Sequence, residues 1–95
     1  MTALNWAAYN RHDSIVDVLL RSGANCDTKC EDGQTPLVNA AISGNVECVE
    51  MLLKHGADVF VTDNEGYTAK YFAMQNQHFE VVKLLTEHEE KNKED

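Results

Sequence analysis

No stretch of this 95-residue sequence approaches the roughly 20 consecutive apolar residues that a membrane-crossing helix needs, and no charged-then-apolar leader opens it. Cysteine is sparse: Cys26, Cys30 and Cys48 make an odd set with no paired framework, which suits a reducing compartment and an intracellular protein of cytoplasm or nucleus. Basic residues are scarce too, 8 Lys and Arg against 16 Asp and Glu, for a net charge of −8. The imbalance is not confined to the end of the chain. Residues 1–86 hold 11 acids against 6 bases, and the stretch from Glu87 holds 5 against 2. Such a surface opposes phosphate backbones, which require clustered Lys and Arg, and favours neutral to basic partners. The five glycines fall one per turn and never group into a phosphate-cradling loop. The acids do not spell a calcium loop.

What is present is repetition. The stretch Asp32–Ala57 carries a turn signal, a short helix, a Gly break, a second helix and a Gly stop, and the same spelling recurs 33 residues earlier and later. Thr2, Thr35 and Thr68 align, as do Ala7, Ala40 and Ala73, then Val16, Val49 and Val82, then Leu19, Leu52 and Leu85. A fixed period of this size means a solenoid, in which each unit buries its apolar face by stacking on a neighbour.

In the first unit Thr2 is placed to cap a helix over 3–10, without the Asp-x-x-Gly turn that precedes units two and three. A second helix is expected over 13–22, with Ile15, Val16, Val18, Leu19 and Leu20 on one stripe and Gly23 as a left-handed stop. Residues 25–34 read as a finger-like loop pairing with 58–67. In the middle unit Thr35 caps and Pro36 takes the first helical position, where a missing N–H costs nothing. Ala40 and Ala41 allow close approach, and Val49, Leu52 and Leu53 form the buried stripe. The last unit drifts from the pattern: Lys70 replaces Leu, Thr86 replaces the second Leu of the pair, and Glu89 replaces the terminal Gly. Residues 89–95 read as a disordered acidic tail.

These residues resemble the ankyrin repeat. Gly33, Thr35-Pro36-Leu37, Ala40-Ala41, Gly44, Val49, Leu52-Leu53 and Gly56-Ala57 match its pattern in register, and the likeness covers about residues 2–88. It implies an all-α solenoid of three stacked helix pairs with finger-like β-turn loops, with repeats at about 1–30, 31–63 and 64–88. The departures are Asn5, Val38 and Tyr71 where the family has His, so its inter-loop hydrogen bonds are lost or rerouted, and Arg11 and Gln77 where it has Gly between the helices.

Chemistry is thinly represented. Cys26 and Cys30 are one loose pair where zinc sites use two, and small-residue packing explains them better. Cys48 falls on the core stripe. His12 and His78 recur at the start of a second helix, with Asn45 in the same slot, and read as residues bonding a neighbouring loop or helix end; no partner for catalysis recurs with them. Asp17, Glu50 and Lys83 align on the outer helices as a solvated face. Nothing in the pattern indicates an enzyme, a cofactor or a metal.

The resemblance implies a non-enzymatic module that binds a protein partner on the concave side, made of finger tips and first helices. It picks out Trp6, Tyr9 and Asn10 in unit one and Lys29, Glu31, Asp32, Gln34, Asn39, Ile42 and Ser43 around unit two. In unit three it picks Asn64, Glu65, Tyr67, Phe72, Gln75 and Asn76. Aromatic or apolar anchors inside a polar rim are the usual make-up of a binding hot spot. Tyr9, Ile42 and Tyr67 are expected to be exposed, and Trp6 and Phe72 stand between exposure and half-burial. The alternative is a structural or assembly segment, whose first unit stacks on another copy or on further repeats of a larger scaffold.

Overall fold

The structure is a computed structural model and describes residues 2–93, with side chains through residue 90. Among them six helices follow in order: α1 (Ala3–Tyr9), α2 (Asp13–Arg21), α3 (Pro36–Ser43), α4 (Val46–Lys54), α5 (Ala69–Gln75) and α6 (Phe79–Lys93). They form three antiparallel pairs stacked side by side. The inner layer runs α1, α3, α5 and the outer layer α2, α4, α6, each helix packing on its neighbour in the layer as well as on its own mate.

Local signals set the helix starts. The hydroxyls of Thr2, Thr35 and Thr68 accept from the N–H of Asn5, Val38 and Tyr71 at 3.2, 3.4 and 3.3 Å, so each inner helix satisfies one orphan donor at the same place. Asn45 does the same for α4, accepting from the Cys48 N–H at 3.2 Å. The turn within each pair needs a residue at positive φ. Gly44 supplies it at +72°, while Arg11 and Gln77 are held there at +62° and +60° despite their Cβ atoms.

Burial follows the repeat. Leu4, Val16, Leu37, Val49, Leu52, Val81 and Leu85 are all but closed to water, and so are the small residues Ala7, Ala8, Ala40, Ala41 and Ala73 that let the helices meet. Each large side chain fully buried contributes about 1.5–3 kcal/mol of transfer free energy.

The fingers form, but not as extended strands; among the described residues one isolated antiparallel bridge, Thr62 with Thr68, is all the β pairing there is. Each tip closes on its own backbone: the Cys30 N–H donates to the Gln34 carbonyl at 3.0 Å and the Asp63 N–H to the Tyr67 carbonyl at 2.9 Å. The first finger is clamped to the second. The Asn64 N–H donates to the Asp32 carbonyl at 3.0 Å and the Asn64 side chain to the Glu31 carbonyl at 2.8 Å. Gly33 lies under this clamp, where a Cβ would fall 2.6 Å from the Asn64 nitrogen.

The acidic tail expected from Glu89 begins differently. Helix α6 runs on to Lys93, whereas α2 and α4 stop ahead of Gly23 and Gly56 at φ +91° and +87°. Glu89 occupies the position of those glycines and so provides no left-handed stop. Its carboxylate lies 3.5 Å from the Lys70 ammonium, tying the extension to α5. Residues 94–95 of the expected tail lie outside the described residues.

Candidate functional site

The inner helices and the fingers carry the residues singled out for partner contact, and the fold sorts them into three groups. The first is exposed and apolar. Trp6 and Tyr9 on α1 are each 48% exposed, and Tyr67 at the end of the second finger is 37% exposed. Trp6 stacks on the His12 ring at 4.8 Å between centroids, which fixes its plane against the start of α2. Tyr67 stacks on Tyr71 at 4.1 Å, and both present their rings edgewise to Phe72 at 6.0 and 5.5 Å. These three rings make one cluster in unit three. The Tyr71 hydroxyl beside it, with Glu65, partial burial and Asp63 adding, holds the Tyr67 phenol above its usual range.

The second group is exposed and polar: Asn10, Lys29, Glu31, Asp32, Asn64, Glu65, Gln75 and Asn76. Several already have work within the fold. Asn10 ends α1 and donates to the Trp6 carbonyl at 2.9 Å. Lys29 reaches the Thr62 carbonyl at 3.5 Å. Asn64 spends its amide and side chain on the finger clamp. Glu31 and Asp32 receive that clamp through their carbonyls, which leaves their carboxylates facing water.

The third group departs from expectation. Asn39 is fully buried, not part of a surface. Its side chain donates to Gln34 Oε1 at 3.0 Å and accepts from Asn5 Nδ2 at 2.9 Å. Asn5, standing where the ankyrin pattern has His, also donates to the Gln34 carbonyl at 3.0 Å, and its Oδ1 accepts from the hydroxyls of Thr28 at 3.1 Å and of Thr2. The inter-loop bonds are therefore rerouted through an Asn–Asn pair spanning units one and two. Burial of two amides is tolerated because every donor and acceptor finds a partner. Gln34 and Ser43 are half-buried; the Ser43 hydroxyl donates to the Ala8 carbonyl at 3.3 Å across the same pair of units. Ile42 was expected to be exposed and is instead partly buried against the core, on a helix packed between α1 and α5. Its carbonyl accepts from His78 Nε2 at 3.2 Å. Phe72 is likewise half-buried.

Sequence reasoning missed two members. Tyr71 completes the aromatic cluster; it was seen as a departure from the His position, and the Tyr67/Tyr71 spacing of four is the signal that joins them. Asp63 is the buried acid that holds the second finger, its Oδ1 accepting from the N–H groups of Glu65 and Tyr67 at 2.9 and 3.0 Å.

Reactive groups are dispersed. Among the described residues no three His, Cys, Asp or Glu side chains converge as a cation site requires. Cys26 donates weakly to the His55 carbonyl at 3.6 Å, and burial followed by the Asp27 charge pushes its thiol up. Cys48 is closed to water, and burial with the Asp13 charge pushes its thiol to about 12, which makes it inert. The three cysteines are free.

A family model described as ankyrin repeats (3 copies) matches residues 1–95, so the chain belongs to the ankyrin-repeat family. Proteins of this family are generally protein–protein interaction modules and are generally not enzymes. No helix among the described residues is long and apolar enough to cross a membrane. A comparison with curated proteins returns no match.

Proposed function

We propose that this module recognises a protein partner, intracellularly and without catalysis, through the side formed by its inner helices and fingers. The observation that supports this most is the cluster of Tyr67, Tyr71 and Phe72, in which two tyrosines stay more than one-third exposed at the base of a finger held rigid by Asp63. Rigid aromatic surface costs little side-chain entropy on binding, and the surrounding Glu65, Asn64, Gln75 and Asn76 supply a polar rim. Trp6, Tyr9 and Asn10 offer a second anchor at unit one, with Lys29, Glu31 and Asp32 between them. The net charge of −8 favours a neutral to basic partner surface and disfavours nucleic acid.

The test begins with capture of a partner on the folded chain and proceeds to affinity measurement with that partner purified. Tyr9→Ala/Tyr67→Ala/Tyr71→Ala should weaken it by about tenfold or more, given hot-spot magnitudes, with the helical circular dichroism unchanged. Equal affinity in a folded triple variant overturns the reading.

A second reading, weak self-association through the first unit, rests on Ile15. It is 43% exposed, while Cys48 and Val81 at the same repeat position are fully buried. Light scattering over a concentration series tests it: a mass independent of concentration, or one that Ile15→Asp leaves unchanged, removes it.

A further inference from the structure

On the other side of the helix layers, away from the fingers, the outer helices enclose a groove of about 830 Å³. Its floor is apolar: Met51 and Leu53 of α4 and Leu84 of α6, each half-buried with a flank on the core. Met51 and Leu84 occupy the same position of successive repeats, so the stacking itself sets them side by side. Its walls are carboxylates, Asp13 and Asp17 from α2, Glu47 and Glu50 from α4, and Glu87 from α6.

Ion pairs within the groove do not neutralise these walls. Asp17 is paired at 2.8 Å with Arg21, and Asp13 accepts from Asn45 Nδ2 at 2.5 Å. Glu47, Glu50 and Glu87 make no ion pair among the described residues, although Lys54 and His88 lie at the rim. Three unpaired carboxylates around an apolar floor repel one another, and a cation that also covers the floor relieves both the repulsion and the exposure.

We propose that this groove is a docking site for a basic peptide segment of another protein, one in which Lys or Arg side chains flank apolar ones. The arginines meet Glu47, Glu50 and Glu87, and the apolar side chains lie on Met51 and Leu84. Bidentate guanidinium–carboxylate pairs suit exposed acids better than ammonium groups do, because the planar fork keeps two parallel bonds. This site is separate from the face proposed above and leaves that face free, so one module can hold two chains at once.

The probe is a fluorescently labelled peptide of alternating arginine and leucine, titrated with the whole chain at low salt and followed by anisotropy. Binding is expected to fall with added salt, and Glu47→Gln/Glu50→Gln should weaken it about fivefold, the scale of two exposed ion pairs. Glu31→Gln/Glu65→Gln removes the same charge from the finger tips and, compared with the parent at about 0.15 M salt, where the Debye length is about 8 Å, should change affinity less than about twofold. Equal weakening by both pairs reduces the effect to net charge and overturns the proposal, as does a larger effect from the finger pair. Undiminished binding of a peptide with serine in place of leucine, equal binding of spermine, or no binding at low salt overturns it too.

Discussion

The first and middle units share one frame yet live in different solvents. Leu52 of the middle unit is fully buried while Leu19, at the same position, is only half-covered. Cys48 is closed to water where Ile15 is 43% exposed, and Pro36 is buried where Ala3 is open. The third unit loses cover at the complementary positions: Val38 and Ala41 are buried, whereas Tyr71 and Met74 at their positions are 37% and 55% exposed. Burial in this fold therefore belongs to the interface between units and not to the residue. The middle unit has two interfaces and its neighbours one each, which is the behaviour of a one-dimensional stack.

The strongest way to break that comparison is to shorten the same leucine in both units. Leu52→Ala should cost about 2–5 kcal/mol, the range for a large-to-small change in a packed core, and in so small an array it can unfold the chain. Leu19→Ala should cost about 1 kcal/mol, since much of its transfer free energy is already forfeited to water. Urea denaturation followed by circular dichroism reads both as shifts in midpoint. Equal shifts would show that the stack does not govern burial.

The 33-residue frame, the three helix pairs, the ends of α1, α2 and α3 to within a residue, the threonine caps and the glycine stops were legible because each depends on local spelling. Partner choice inside the fold was not. Asn39 looked like surface because the resemblance places that part of the first helix on the concave side, and only the pairing of Asn5 with Asn39 and Gln34, across two units, makes its burial cheap. Ile42 looked exposed because it aligns with a position that varies in the family, and its cover comes from packing between helices, which local spelling does not carry. The outer face read as solvated because Asp17, Glu50 and Lys83 were compared one position at a time; a groove is a property of neighbouring helices. The length of α6 was present in the sequence, in the loss of glycine at Glu89, and was outweighed by the polar composition that follows it.

A second comparison sets Cys48 against Val81, the same buried position in successive units. The folded thiol sits at about 12, raised from 9.0 by burial and then by Asp13. A raised value means the fold prefers the protonated thiol. Its contribution is therefore intact below the unfolded value and is lost as pH climbs from about 9 towards 12. Cys48→Val makes the middle unit match the third and should remove that part of the alkaline loss, leaving whatever Cys26 and Tyr67, both also raised, contribute. The readout is the difference in melting temperature between variant and parent from pH 8 to pH 11, which should widen in favour of the variant. A constant difference over that range would mean that the Cys48 thiol loses its proton at the same pH in the folded and unfolded chain, so that burial does not hold it protonated.

The smallest expected effect concerns the turns inside the pairs. Gly44, Arg11 and Gln77 share one conformation, at φ +72°, +62° and +60°, but only glycine adopts it without strain. Left-handed backbone costs a residue with a Cβ about 1–2 kcal/mol, and the entropy of an added glycine in the unfolded chain returns part of it. Gln77→Gly should therefore stabilise the fold by about 0.5–1 kcal/mol. Arg11→Gly should gain less, because it also forfeits the bond from Arg11 Nη1 to the Ser43 carbonyl at 3.3 Å. The reverse change, Gly44→Gln, should cost more than either gain. Its Cβ would fall 2.5 Å from His78 Nδ1, and that ring is held by the Ile42 carbonyl. In the middle turn the strain of a side chain and the loss of an inter-unit bond therefore fall together, so glycine is favoured in all three copies of the motif and most strongly in the middle one.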